Sequence, residues 1–140
     1  MTICVVDGQG GKIGSTIISR LKERLRENIE IIALGTNSAA TQNMMKARAN
    51  RGASGENAIV TTAGKADIII GTINILIAGS MLGELTPRMA EAIAGSGAAK
   101  FVLPVTQENL TVVGRNEMSI PQLVGLLVDL VEKETDRCAR

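Results

Sequence analysis

The sequence contains no histidine, tryptophan or tyrosine, and Phe101 is its only aromatic residue. Catalysis by histidine, a Ser-His-Asp triad and zinc bound by histidine are therefore excluded. The aromatic side chains on which proteins stack single-stranded nucleic acid are missing as well. Any catalysis would have to use carboxylates, lysine, arginine, hydroxyls, a cysteine or a cofactor, and we predict no metal site.

The sequence also lacks an excess of charge of one sign and lacks long apolar runs. The net charge is +1, so no global field attracts nucleic acid or a membrane surface. No apolar run approaches the roughly 20 residues of a membrane span, and no basic segment precedes an apolar one at the N-terminus, so we predict no signal peptide. Cys4 and Cys138 predict a buried and an exposed thiol rather than a disulfide. These features favour one cytoplasmic domain without nucleic-acid or membrane partners.

What the sequence does have is a glycine-rich stretch near its start, Thr2–Gly14, which reads TICVVDGQGGKIG. A β-branched run is followed by glycines at 8, 10, 11 and 14, and then by a helical pattern. This order is typical of mononucleotide-binding units, where backbone N–H groups and a helix N-terminus bind phosphate. The spacing GxGGxxG departs from the dinucleotide fingerprint GxGxxG and from the P-loop GxxxxGK[ST]. The stretch predicts a phosphate or nucleotide site, with a purely structural turn as the alternative.

Apolar runs and helical patterns follow one another along the rest of the chain, and the connection between the strands at 58–62 and 67–71 is too short for more than about one helical turn. The predicted strands are Ile3–Val6, Glu30–Gly35, Ala58–Thr62, Asp67–Gly71, Lys100–Val105 and Leu110–Gly114, and the predicted helices cover about 12–28, about 39–50, 87 to 95 or 97, and 119 to about 133. Pro104 places its strand near a sheet edge, and the short connection 107–109 predicts that the last strand is antiparallel. The predicted fold class is α/β: one three-layer, Rossmann-like domain over 1–140, with an open, mostly parallel sheet, an antiparallel strand near the C-terminus and a polar tail from about 133.

The segment 72–85, TINILIAGSMLGEL, is apolar and lacks a clear period. It is consistent with a buried helix, with a lid over the site or with a subunit interface. On the last interpretation the chain forms a homo-oligomer through these residues.

The carboxyl ends of the predicted strands define the candidate pocket, because ligands of open parallel sheets bind there. These ends carry mostly amides and hydroxyls, which suit a polar ligand. The predicted binding residues are Asp7, Gly8, Gln9, Gly10, Gly11, Lys12, Ile13, Gly14, Thr36, Asn37, Thr72 and Asn74, with Thr106, Gln107 and Asn109 at the next strand end. No residue is predicted to be catalytic with any specificity.

Charged residues near the candidate pocket leave alternatives open. Asp7 could cap the glycine turn, bind a ligand or hold a metal, and Glu56 could act as a general base or anchor its loop. No acid ends the second predicted strand, which counts against plain NAD. Lys46, Arg48 and Arg51 could meet the 2′-phosphate of NADP or form a solvated helix face.

Five segments together resemble a known family: VVDGQGGKIG, GTNSAAT, RGASGENAIV, ADIIIG and LGELTPRMAEAI, in this order. They are similar to an uncharacterised family of short bacterial proteins, defined only as a domain of unknown function. DGQGG and GASGEN are its distinctive parts, and the resemblance covers nearly the whole chain. It implies a Rossmann-like protein without an assigned activity, so no functional residue carries over. The first loop alone also resembles NAD(P)-binding glycine loops of dehydrogenases.

Three functions follow as hypotheses. The first is a small-molecule binding protein that holds a nucleotide or phosphorylated metabolite on Gly8–Gly14. The second is an NADP-linked reductase whose active site a second subunit completes, with NADP or another nucleotide as the candidate cofactor. The third is a structural or regulatory homo-oligomer without catalysis.

Overall fold

The computed structural model describes residues 1–106, 109–114 and 117–139. Strands and helices alternate along these ranges, whereas the sequence predicts two places, between 58–62 and 67–71 and between 100–105 and 110–114, where one strand follows another without a full helix. The strands are β1 (Thr2–Asp7), β2 (Glu30–Gly35), β3 (Arg51–Ser54), β4 (Ile68–Thr72) and β5 (Ala99–Leu103). The helices are α1 (Lys12–Arg24), α2 (Ser38–Lys46), α3 (Glu56–Ala63), α4 (Pro87–Ala94) and α5 (Ile120–Cys138), and a short 3-10 helix covers Ile73–Leu76.

The strands form a single sheet in the order β3-β2-β1-β4-β5, and each neighbouring pair is parallel. The chain moves outward in one direction from β1 through β2 to β3, and then returns to the other side of β1 with β4. In an open α/β sheet this reversal marks the place where ligands bind, at the carboxyl ends of the strands. β5 is an edge strand, which confirms the placement predicted from Pro104.

The predicted strand Ala58–Thr62 is wrong, because these residues belong to α3 and the strand of this region is β3. The run AIVTT is rich in β-branched residues, which misleads a pattern-based assignment. In the structure Ile59 and Ala63 are four residues apart and both face the core, as a helix requires. β3 carries no apolar signal because it is a short edge strand with exposed residues.

The predicted antiparallel strand Leu110–Gly114 is also wrong, since the described residues 109–114 form turns and irregular backbone. Val113 is 94% exposed, so the apolar run packs against no strand. Gln107 and Glu108, in the predicted hairpin turn, lie outside the described residues. The sheet is therefore parallel throughout the described strands.

Helices pack on both faces of the sheet and bury two apolar layers. α1 and α5 lie together on one face, and α3 and α4 on the other. Ile17, Ile18 and Leu21 recur at helical spacing on α1 and are fully buried, so they form the apolar face of this helix. Burial of one such side chain contributes about 1.5–3 kcal/mol, so this layer holds α1, and with it the glycine loop, firmly against the sheet.

Two helices begin with a hydroxyl side chain that caps the first turn. Thr86 caps α4 by accepting the N–H of Met89 at 3.2 Å, and Ser119 accepts the N–H of Gln122 at 3.3 Å. α4 ends at Ala94 and is followed by Gly95, one of the two predicted stop positions, as its C-cap. The polar segment after residue 133 stays helical to Cys138. Within the described ranges, no helix is both long enough and apolar enough to cross a bilayer.

Candidate functional site

The glycine loop lies at the middle of the carboxyl edge, between β1 and α1. Its backbone turns sharply: Gln9 and Gly11 have φ values of 51° and 69°, and the N–H of Gly11 donates to the carbonyl of Gly8 at 2.9 Å. Gly11 is the N-cap of α1, and no side chain caps the helix from that position. The first N–H groups of α1 therefore depend on other partners.

Asp7, the last residue of β1, accepts hydrogen bonds from two backbone N–H groups of this region. Its Oδ1 accepts the N–H of Gly8 at 2.8 Å, and its Oδ2 accepts the N–H of Gly14 at 2.7 Å. Burial raises the pKa of Asp7 above its ordinary value, although the two backbone hydrogen bonds act in the opposite direction. These contacts match the capping role among the three that the sequence allows.

Glu84 accepts a second set of hydrogen bonds, and it comes from the connection between β4 and α4. Its Oε1 accepts hydrogen bonds from the N–H of Gln9 at 2.8 Å, the Thr36 hydroxyl at 2.6 Å and the Asn37 amide at 2.7 Å. The hydrogen bond from Thr36 is the main cause that lowers the pKa of Glu84. In the sequence Glu84 stands two residues before Thr86, the N-cap of α4, and is most simply interpreted as part of that helix entry. One sequence signal could have revealed its role. The hydrogen-bond donors Thr36 and Asn37 follow β2, and no acidic residue stands next to them in the sequence to accept their hydrogen bonds.

The four glycines of the loop differ in how much space surrounds them. A Cβ at Gly8, Gly11 or Gly14 would lie 2.5, 2.7 or 2.6 Å from its nearest neighbour, all far too close. A Cβ at Gly10 would meet nothing within 4 Å, and the φ of Gly10 is not left-handed. Three glycines are thus required by internal packing, whereas Gly10 borders open space.

Part of the loop remains free to bind. Within residues 1–106, 109–114 and 117–139, the N–H groups of Gly10, Lys12 and Ile13 donate to no acceptor. The Lys12 side chain is exposed, whereas Ile13 packs partly against the core. Three N–H groups and an ammonium group at a helix N-terminus favour a negatively charged partner.

The end of β4 carries two buried polar atoms that lack partners. Thr72 and Asn74 are 5% and 8% exposed. The Asn74 amide nitrogen donates to the carbonyl of Val105 at 3.3 Å, but Thr72 Oγ1 and Asn74 Oδ1 have no partner within the described residues. Leaving such an atom unpaired costs about 1–3 kcal/mol. Because Val5 pairs with Ile70, the register brings Thr72 next to the residue that ends β1.

A cavity of about 440 Å³ adjoins this end of β4, within the range of about 300–1,000 Å³ that is usual for small-molecule pockets. It is bordered by one polar and several apolar side chains of the 3-10 helix and by the segment after β5. Its lining residues are Ile73, Asn74, Leu76, Ile77, Ser80, Asn109 and Leu110. It lies beside the β4 end rather than on the glycine loop.

The segment 72–85 forms the 3-10 helix and a series of turns, rather than a long buried helix. Ile75, Met81 and Leu85 are buried in the layer beneath α3 and α4. Leu82, in contrast, is 93% exposed at the tip of the connection. Most of the apolar character of the segment is therefore explained by the chain's own core.

The three cationic residues considered for a 2′-phosphate lie at the wrong edge of the sheet. Lys46 ends α2, Arg48 follows it, and Arg51 begins β3, where its guanidinium pairs with Glu30 at 2.8 Å. Glu30 is the first residue of β2, so this group adjoins the amino ends of the strands. The interpretation that they meet an NADP phosphate at the glycine loop is wrong. Lys46 and Arg48 are exposed to solvent, and Arg51 is exposed and paired with Glu30.

The structure brings most of the predicted residues into one cluster. Residues 7–14, Thr36 and Asn37 are joined by the hydrogen bonds of the two carboxylates, and Thr72 borders them along the sheet edge. Asn74 lies further along, toward β5. Thr106 donates to the carbonyl of Leu110 within its own connection, and Gln107 lies outside the described residues. Glu56 pairs with Arg88 at 3.1 Å, as expected of a loop anchor.

Comparison with known proteins places the chain in a family. A crystal structure of a dodecameric FMN-dependent UbiX-like decarboxylase from Escherichia coli O157:H7 is similar to it with a TM-score of 0.46 and 12% identity, over 97% of this chain and 94% of that one. No curated protein matches the chain. The resemblance seen in the five sequence segments is confirmed by a family model that matches residues 2–136: the chain belongs to the family of the domain of unknown function DUF3842.

Proposed function

We propose that the chain binds a nucleotide or another phosphorylated metabolite at the carboxyl edge of the sheet, with the phosphate on the glycine loop. The N–H groups of Gly10, Lys12 and Ile13 donate to the phosphate, and the Lys12 ammonium group balances part of its charge. The observation that carries the proposal is the open space at Gly10. Neither packing nor backbone conformation requires glycine there, and a ligand that approached this backbone closely would require it.

The two carboxylates beside the loop set the expected strength of binding. Asp7 and Glu84 hold the inner N–H groups, so the phosphate has only the outer ones. The negative charge of Glu84 also opposes a phosphate nearby. The helix N-terminus and Lys12 act against this repulsion, and each such interaction is modest. We therefore expect moderate affinity, with further contacts supplied by the rest of the ligand.

Titration calorimetry with AMP, ADP, NADP and ribose 5-phosphate tests the proposal on the wild type, Gly10→Val and Gly97→Val. Gly97 is the matched control, since a Cβ there also meets nothing within 4 Å, but it lies between α4 and β5 at the opposite edge of the sheet. We expect Gly10→Val to weaken binding by about tenfold or more, because the side chain fills the ligand's position, and Gly97→Val to bind like the wild type. Absent binding, or equal binding by both variants, contradicts the proposal.

Homo-oligomer formation through 72–85 is a second proposal, supported by one observation: the exposure of Leu82. Light scattering on the wild type and Leu82→Ser tests it. A monomer at high concentration excludes this role for the segment.

The NADP-linked reductase is less well supported. Arg51, one of the cationic residues considered for the 2′-phosphate, pairs with Glu30 at the opposite edge of the sheet from the glycine loop.

A further inference from the structure

Glu84 is bound through only one of its two carboxylate oxygens. All three of its hydrogen bonds, from Gln9, Thr36 and Asn37, end on Oε1. Within the described part of the chain, Oε2 accepts no hydrogen bond, and the side chain is partly exposed. An ionised carboxylate can accept about four hydrogen bonds over its two oxygens, so Glu84 retains capacity for a ligand.

The connection that carries Glu84 is fixed on both sides of it. The N–H of Gly79 donates to the carbonyl of Leu85 at 2.8 Å, and the N–H of Leu85 donates to the carbonyl of Ser80 at 3.2 Å. The Ser80 hydroxyl donates to the carbonyl of Asn74 at 2.6 Å, and Met81 is 5% exposed. Glu84 is thus a built-in part of the site, with its orientation set by buried anchors and three donors.

The position of Glu84 matches a sugar subsite. It lies between the glycine loop, through Gln9, and the end of β2, through Thr36 and Asn37. In dinucleotide-binding sheets whose pyrophosphate lies at the N-terminus of the first helix, an acid about 20 residues further on accepts the ribose 2′-hydroxyl. β2 ends here without an acid, and the connection after β4 delivers one to the same place.

We infer that Glu84 accepts the vicinal hydroxyls of a ribose through Oε2, which makes the ligand a ribonucleotide with a free 2′-hydroxyl. A 2′-phosphate is disfavoured, because it would meet a carboxylate in place of a cation. The inference rests on the proposed function, since it takes the phosphate to lie on the glycine loop. It also disfavours NADP among the candidate cofactors.

Calorimetry with AMP, 2′-deoxy-AMP and adenosine 2′,5′-bisphosphate tests the inference on the wild type and Glu84→Gln. Glutamine keeps an oxygen for the three internal donors but loses the charge. The wild type should prefer AMP to 2′-deoxy-AMP by about tenfold, the usual worth of a hydrogen bond to a charged group. Glu84→Gln should reduce this preference to about twofold and bind the bisphosphate better than the wild type does.

Glu91→Gln is the matched control, because it removes one negative charge from an exposed position on α4 outside the site. It should keep the full preference for AMP, and thermal melting should show that both variants are folded. Binding of AMP and 2′-deoxy-AMP with equal affinity by the wild type overturns the inference alone. So does an unchanged preference in Glu84→Gln. If none of these three compounds binds but ribose 5-phosphate does, the inference fails and the proposed function stands. If none of these compounds and none of the earlier panel binds, both fail.

Discussion

Two glycine-containing connections lead from a strand to a helix at the same edge of the sheet, and they are built differently. The loop before α1 is crowded: two carboxylates accept its N–H groups, and a Cβ at Gly11 would lie 2.7 Å from the Ala40 backbone. Gly55, before α3, has φ of 97°, no atom within 4 Å of its Cβ position and no side-chain cap. β1 is central and β3 is an edge strand, so neighbours on both sides shape only the first loop. Position in the sheet, rather than glycine content, distinguishes the two.

Among the substitutions that test this contrast, Gly11→Ala should reduce the free energy of unfolding the most. The new Cβ would require a left-handed backbone at φ of 69° and would collide with the Ala40 backbone, which cannot move aside easily. Overpacking of 1–3 kcal/mol adds to the conformational cost, so we expect a loss of about 3 kcal/mol in the free energy of unfolding. Urea denaturation measures it. A loss below about 1 kcal/mol would show that the loop adapts as easily as an exposed turn.

Asp7→Asn should cost about 2 kcal/mol at neutral pH, because the amide cannot accept both N–H groups that the carboxylate accepts. The pKa of Asp7 is raised from its ordinary value of 3.8, so the folded state binds the proton more tightly than the unfolded state. The stability from protonated Asp7 is fully present below 3.8 and is lost as pH rises through the folded pKa. The cost of Asp7→Asn should therefore grow as pH falls.

Glu84 should show the opposite dependence, which sharpens the comparison between the two carboxylates. Its pKa is lowered from 4.5, so its contribution is present above 4.5 and is lost as pH falls through the folded pKa. The cost of Glu84→Gln should shrink under acid conditions while that of Asp7→Asn grows. Urea denaturation of the wild type and both variants at about pH 7 and about pH 4 measures this. Parallel pH profiles would contradict the assigned environments.

Gly55→Ala should cost less than Gly11→Ala, because only the backbone conformation opposes it. At φ of 97° and ψ of 175° the region is nearly reserved for glycine. Such strain costs about 1–3 kcal/mol, and we expect a value in the lower half of that range because no atom obstructs the Cβ. Urea denaturation beside Gly11→Ala gives the ranking. Equal costs would mean that the contact with Ala40 adds nothing.

Gly10→Ala should have the smallest effect on stability of the five positions. The φ is ordinary and the space is open, so the free energy of unfolding should rise by about 0.5 kcal/mol or stay unchanged. Its effect on ligand binding should nevertheless be the largest. Denaturation and calorimetry on the same preparation separate the two quantities. A clear loss of stability would indicate that the fold itself requires this glycine.

The central part of the fold was predictable from sequence, because its signals are strong. β1, β2 and β4 are buried β-branched runs, and α1 has a clear apolar stripe. The errors lie at the periphery, where burial stops dictating residue type. β3 has no apolar face, and α3 has β-branched residues that favour a strand locally but pack as a helix.

The candidate site was predictable only where its parts are close in sequence. The strand-glycine-helix order locates the loop and the ends of β2 and β4. It cannot reveal Glu84, which lies 75 residues from its partner Gln9 in the chain. The order of elements in the sequence also does not show at which edge of the sheet a cationic side chain lies, so Arg51 was associated with the carboxyl edge instead of the amino edge. The partners of Glu84 and the position of Arg51 both depend on contacts between residues that are distant in sequence.

The central position of β1 also has a consequence during synthesis. β1 is made first, yet its two partners follow only at Glu30–Gly35 and Ile68–Thr72. Until β4 has emerged, one side of an apolar strand stays open to pairing with other chains, as an aggregation template does. Truncated products that end before β4 should therefore aggregate and be degraded rapidly. The domain should become resistant to proteolysis only after β4 has paired with β1.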